Sequence, residues 1–175
     1  MRLKRLPLLL RNKLLDMRGI GNIPIVFLSL WIFFGSSLSA QVKISLRNKA
    51  YFTVLDFKRI PEFFTGREFS GSKVYCRTNP TDREGFYFVV KVTGDVPPLS
   101  PDCHWLLEWI TPLDPTAQQK KVLLSEQKIS GKEVFIGLTG SDWPDPSVQP
   151  IAWSLSLVDS EERILGQSQS FLWSK

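Results

Sequence analysis

The chain has one histidine in 175 residues, with only two cysteines and two methionines. Any histidine-dependent catalytic set therefore rests on His104, and its neighbour Cys103 is badly placed to serve it. Adjacent residues on a strand point to opposite faces, whereas a thiolate and an imidazole must meet side by side to act together. Two cysteines and one histidine supply three soft ligands, with the spacing of neither a zinc ribbon nor a finger, so no metal and no cofactor is predicted. No Gly-x-Ser-x-Gly elbow, phosphate loop or dinucleotide glycine pattern occurs. Among many carboxylates, spacing alone selects no acid–base pair, which leaves a small secreted enzyme as the third-ranked reading. The sequence also lacks a repeat of domain-building length, a low-complexity tract and an N-glycosylation acceptor.

Positive charge is abundant but local. Six of the 22 Lys/Arg, namely Arg2, Lys4, Arg5, Arg11, Lys13 and Arg18, fall in the first 40 residues beside one acid, Asp16. The formal charge of +5 thus belongs to this stretch, and the rest is balanced. Balance argues against nucleic-acid binding, which usually leaves a basic excess. The basic stretch runs into Ile25–Phe34, a ten-residue apolar segment, and then Gly35-Ser36-Ser37-Leu38-Ser39-Ala40. A charged start, a short apolar run and a small-residue finish make a secretory signal peptide over residues 1–40. Cleavage is expected after Ala40 or Ser39, and translation from Met17 would give a leader of more usual length.

As a helix the run covers roughly 15 Å, about half the hydrocarbon core of a bilayer. The alternative is an uncleaved inner-membrane anchor over residues 20–40, a stretch that includes Gly21, Asn22, Pro24 and Gly35. Gln41 stands where a lipoprotein signal needs cysteine. Membrane contact is otherwise transient, because Pro7 interrupts any amphipathic helix in the first residues.

Residues 41–175 are read as one domain, long enough for a real core. Apolar residues alternate with period two, and proline and glycine punctuate them at short intervals. Strands are predicted over 50–57, 73–77, 85–92, 104–111, 121–124, 133–138 and 151–158, with a terminal hairpin strand over 163–173. Phe86, Phe88, Val90 and Val92 share one face of the third of these. Tyr87 and Val89 lie on the other, so both faces are expected to be covered near its middle. Residues 60–66 and 113–121 have room for a helical turn each. So many aromatics exceed what a single sheet buries. The prediction is an all-β antiparallel sandwich of seven or eight strands, immunoglobulin-like or fibronectin-like in architecture. It departs from the immunoglobulin fingerprint, since the cysteines are close together with no tryptophan between them. In an oxidising compartment a disulfide between Cys76 and Cys103 is expected.

The most distinctive loop is Leu138–Pro146, which holds Trp143 between Asp142 and Asp145. An indole flanked by carboxylates suits a sugar ring and its hydroxyls. Two carboxylates alone are too few ligands for Ca²⁺. The simpler reading makes Asp and Pro turn formers and Trp143 a cap over the end of the sandwich. Near the C-terminus, Phe171 and Trp173 either dock or leave an apolar edge for a partner. The leading functional expectation is an exported, non-catalytic interaction module for a protein or glycan, in the periplasm or outside the cell. Its rival is a carbohydrate-binding module built on the Trp143 loop.

Overall fold

The computed structural model describes residues 42–174 apart from Gln127 and Pro144. The expected signal segment over 1–40 and its anchor alternative over 20–40 lie outside the described residues. Eight strands and two short helices follow in the order β1 (Lys43–Phe52), α1 (Val54–Phe57), α2 (Ile60–Thr65), β2 (Lys73–Arg77), β3 (Gly85–Thr93), β4 (His104–Ile110), β5 (Gln118–Leu123), β6 (Glu133–Thr139), β7 (Ala152–Val158) and β8 (Ile164–Gln169). They form two four-stranded sheets, ordered β1-β3-β6-β2 and β5-β4-β7-β8.

Alternation explains how the sheets share a core. Phe86, Phe88, Val90 and Val92 of β3 meet Trp105, Leu107 and Trp109 of β4 and Trp153, Leu155 and Leu157 of β7 in one buried cluster. The expected second face of β3 is also covered. Tyr87 and Val89 join Phe57 and Phe135 in a smaller cluster, with Phe52 and Tyr75 packed against it. The first sheet therefore buries apolar residues on both sides.

Strand β1 begins earlier than its sequence suggests and ends at Phe52, and a bulge between Leu46 and Asn48 reverses its parity. Ile44 and Leu46 point into the core before the bulge, and Tyr51 does so after it. One extra residue switches every later side chain to the other face, so the strand shows no continuous alternation.

The expectation of a wholly antiparallel fold is corrected at one pair: β2 runs parallel to β6. Both β1 and β2 therefore run in the same direction at opposite edges of their sheet. Parallel strands need a crossover connection, and residues 53–72 supply it by passing over the outer face. Helix α1 stands where the sequence predicted the end of a strand. The Asp56 carboxylate accepts hydrogen bonds from the Thr53 backbone N–H (2.7 Å) and hydroxyl (2.8 Å), a local closure that favours a helical start. Helix α2 carries Pro61 in its first turn and ends at Gly66, whose φ of 65° is left-handed.

The expected disulfide is also corrected. Cys76 and Cys103 are both buried free thiols. Each is turned to a serine instead: Cys76 Sγ lies 3.6 Å from Ser125 Oγ and Cys103 Sγ lies 3.5 Å from Ser100 Oγ. Inside this core they pack as small apolar residues.

Candidate functional site

The crossover is held down from beneath. Phe57, at 2% exposure, packs edge-on to Tyr75 with ring centroids 5.4 Å apart and tilts against Tyr87 at 5.0 Å. The Arg77 guanidinium lies over the Phe57 and Tyr75 rings at 5.2 and 5.0 Å. It donates from Nε to the Tyr87 hydroxyl (2.9 Å) and from its two terminal nitrogens to the Glu68 carboxylate. The Tyr87 hydroxyl in turn donates to the Arg83 carbonyl at 2.7 Å. Burial pushes that hydroxyl up to about 12, so it remains a neutral donor. Burial works against the Arg77 charge, but the Glu68 carboxylate and Tyr87 hydroxyl hold the guanidinium above its ordinary value.

A second clamp joins Arg83 to Glu62 at 2.6 Å, and Glu62 also accepts the Phe69 backbone N–H at 3.2 Å. Glycine makes room for this arrangement. A Cβ on Gly137, which faces Tyr87 across the sheet, would strike the Tyr87 ring.

The outer surface of the crossover has the opposite character. Among the described residues, six of the twelve exposed large apolar side chains lie between Val54 and Phe69. Leu55, Ile60 and Phe69 are exposed, and Phe63 and Phe64 reach 77% and 85%. Side chains this free project from the surface, and a cluster of them usually marks a contact site.

The acids of the segment are engaged internally: Asp56 by Thr53, Glu62 by Arg83 and Glu68 by Arg77. Its bases are not. Lys58, Arg59 and Arg67 are exposed and make no ion pair among the described residues. This surface was not anticipated from the sequence. Two signals were available: a connection of about 20 residues, long for a compact domain, and the helical spacing of Ile60, Phe63 and Phe64.

The residues singled out by sequence do come together, at one end of the fold. Asp142, Trp143 and Asp145 line a cleft of about 180 Å³ together with Trp109, Asp114 and Gln118. Each carboxylate has a local partner. Asp142 pairs with Lys120 at 2.6 Å, Asp145 accepts from the Ser147 N–H and hydroxyl, and Asp114 accepts from Gln118 at 3.0 Å. Burial acts to raise the Asp142 carboxyl, yet the hydrogen bonds from Lys120 and Thr78 leave it below its ordinary value.

Trp143 is only 4% exposed and stacks on Phe86 with centroids 4.7 Å apart. It caps the core, so its ring has no open face on which a sugar could lie. Its Nε1 is nevertheless buried without a hydrogen-bond partner. Trp173 is half-buried, and its backbone N–H donates to Ser170.

His104 is buried, its Nδ1 lies 3.3 Å from the Asp102 carbonyl, and its Nε2 is unpartnered. Cys103 belongs to the core cluster and bonds to Ser100. No group of three His, Cys, Asp or Glu among the described residues is placed to hold a metal ion. Nor is any described helix long and apolar enough to cross a membrane. No protein-family model, curated protein or solved structure matches the chain.

Proposed function

We propose that the chain is an exported, non-catalytic β-sandwich that works as an interaction module in the periplasm or outside the cell. The observation that carries this reading is the crossover: an apolar outer surface fastened to the sheet by buried aromatics and ion pairs. A loop evolved only to connect β1 to β2 would gain nothing from exposing Phe63 and Phe64. Fixing such residues beforehand lowers the ordering cost of binding. The basic, apolar leader supports export. Two layered four-stranded sheets support an immunoglobulin-like or fibronectin-like architecture, from which the parallel β2–β6 pair and the crossover depart.

The test is recovery of a binding partner from envelope fractions by the native chain and by a Phe63→Ser/Phe64→Ser variant. Loss of the partner in the variant, with the fold intact, is the expected result. Equal recovery by both would remove the crossover from the account, and turnover in a broad hydrolase screen would overturn the non-catalytic reading.

A second reading is favoured by one specific observation, the buried and, among the described residues, unpartnered Nε1 of Trp143, a residue that lines a cleft with Asp114, Asp142 and Asp145. In this reading a glycan takes hydrogen bonds from the rim of the cleft, and the cap over the indole N–H, closed in this structure, opens to let it donate. Tryptophan-fluorescence titration against a glycan panel tests it. Binding that weakens in Trp143→Phe, which keeps a ring and removes the N–H, supports the cleft. Absence of any ligand removes it.

A further inference from the structure

We propose that the crossover surface docks on an anionic lipid bilayer, with Phe63 and Phe64 entering the boundary between headgroups and acyl chains. The inference rests on reading the domain as an interaction module and names the partner of that same surface. Its first support is charge complementarity. Three cations without an ion pair among the described residues, Lys58, Arg59 and Arg67, lie among the exposed apolar side chains of residues 54–69. Alternation places Lys43, Lys73 and Lys91 on the same outer side of the sheet, because their neighbours Ile44, Val74, Val90 and Val92 fill the core. Arg47 joins them, lining a cleft on this face with Phe52, Tyr75 and Phe135.

None of these four strand cations makes an ion pair among the described residues. Against them stand Asp56, engaged by Thr53, and Glu133. The domain is neutral as a whole, so this face concentrates a positive charge that the total conceals.

The second support is shape and chemistry. Phe63 and Phe64 are exposed over most of their surface, Phe63 at the edge of a cleft beside Val54 and Lys58, and the cations on this face outnumber Asp56 and Glu133, the acids set against them. A protein partner would have to bring an acidic surface around an apolar one. Exposed Phe and Leu with surrounding Lys and Arg is instead the composition of segments that lie in a membrane interface. Each cation near an anionic surface favours binding by roughly fivefold, so Lys58, Arg59 and Arg67 together give about 100-fold.

Both native thiols are buried, so a Phe64→Cys substitution in the full chain provides one accessible thiol for an environment-sensitive fluorophore. Vesicles of phosphatidylcholine with phosphatidylglycerol should shift its emission to the blue, and lipid-borne quenchers should dim it. Phosphatidylcholine alone should do neither, and added salt should reverse the shift. Combining the label with Lys58→Glu/Arg59→Glu/Arg67→Glu should weaken vesicle binding by at least the same roughly 100-fold.

Unchanged emission with anionic vesicles, or a shift that ignores lipid charge, would overturn the proposal. A photocrosslinker on the same thiol separates the two levels of the account. A protein adduct from envelope fractions without a vesicle response overturns the membrane assignment and leaves the interaction module standing. If neither appears, both fall.

Discussion

Replacing Phe57 with alanine asks whether the crossover is truly fastened to the sheet. The ring is 2% exposed and touches Phe52, Tyr75, Tyr87 and Phe135, with the Arg77 guanidinium over it. Core Phe→Ala substitutions cost about 3–5 kcal/mol. The lower end applies here, because two short helices can settle partly into the space. Loss of the cation–π contact adds about 0.5–1 kcal/mol. A total of about 3.5–4 kcal/mol corresponds to a fall of roughly 13 °C in Tm for a domain of this size. Denaturant unfolding followed by circular dichroism measures it. Hydrogen exchange shows where the loss falls, and amides of residues 54–69 should open first while the β5-β4-β7-β8 sheet stays protected. The control is Phe63→Ala, at an exposed site, which should stay within about 0.5 kcal/mol of the parent. If both substitutions cost the same, the crossover is not docked through Phe57 and the reasoning fails.

Gly137→Ala should destabilise by about 1–3 kcal/mol, because the new methyl group displaces the Tyr87 ring from its network; a denaturant midpoint reports this. The Glu62–Arg83 clamp gives a pH dependence. The hydrogen bond from Arg83 holds Glu62 below its ordinary 4.5, so its stabilisation is present above that value and disappears as pH falls through the lower folded value. Exchange of the Phe69 amide should therefore accelerate in acid beyond the intrinsic rate, and Glu62→Gln should abolish that extra change. Cys76 and Cys103 should resist a maleimide until the chain is unfolded, since both are buried and burial raises the Cys76 thiol; rapid native labelling would contradict their placement. The intact mass should not change on reduction.

What the sequence revealed follows from how strictly each segment obeys one rule. Strands β2, β3, β6 and β7 appear within a residue or so of where alternation puts them, and the two-faced burial of β3 was legible in Tyr87 and Val89. Strand β1 was legible only in its last three residues, Ala50–Phe52. Its first seven, Lys43–Lys49, belong to a sheet edge, and the bulge at Leu46–Asn48 breaks the alternation that would have revealed them. The crossover was missed because its direction depends on β2 pairing parallel to β6, a long-range choice that leaves no local mark.

Charge misled for a related reason. A balanced total describes neither face of a sheet, and only the register brings Lys43, Lys73 and Lys91 to one side. The Trp143 loop was located correctly, and the capping role suggested by its turn residues is the one its burial displays. The cysteines misled because an inferred compartment says nothing about whether two side chains meet.

The most direct test compares hydrogen exchange of the full chain alone and on vesicles containing phosphatidylglycerol, peptide by peptide. New protection is expected over residues 53–72, extending to the outer-face strands β1 and β2, with the Trp143 loop unchanged. Protection appearing at residues 140–148 instead, or nowhere in the domain, would contradict it.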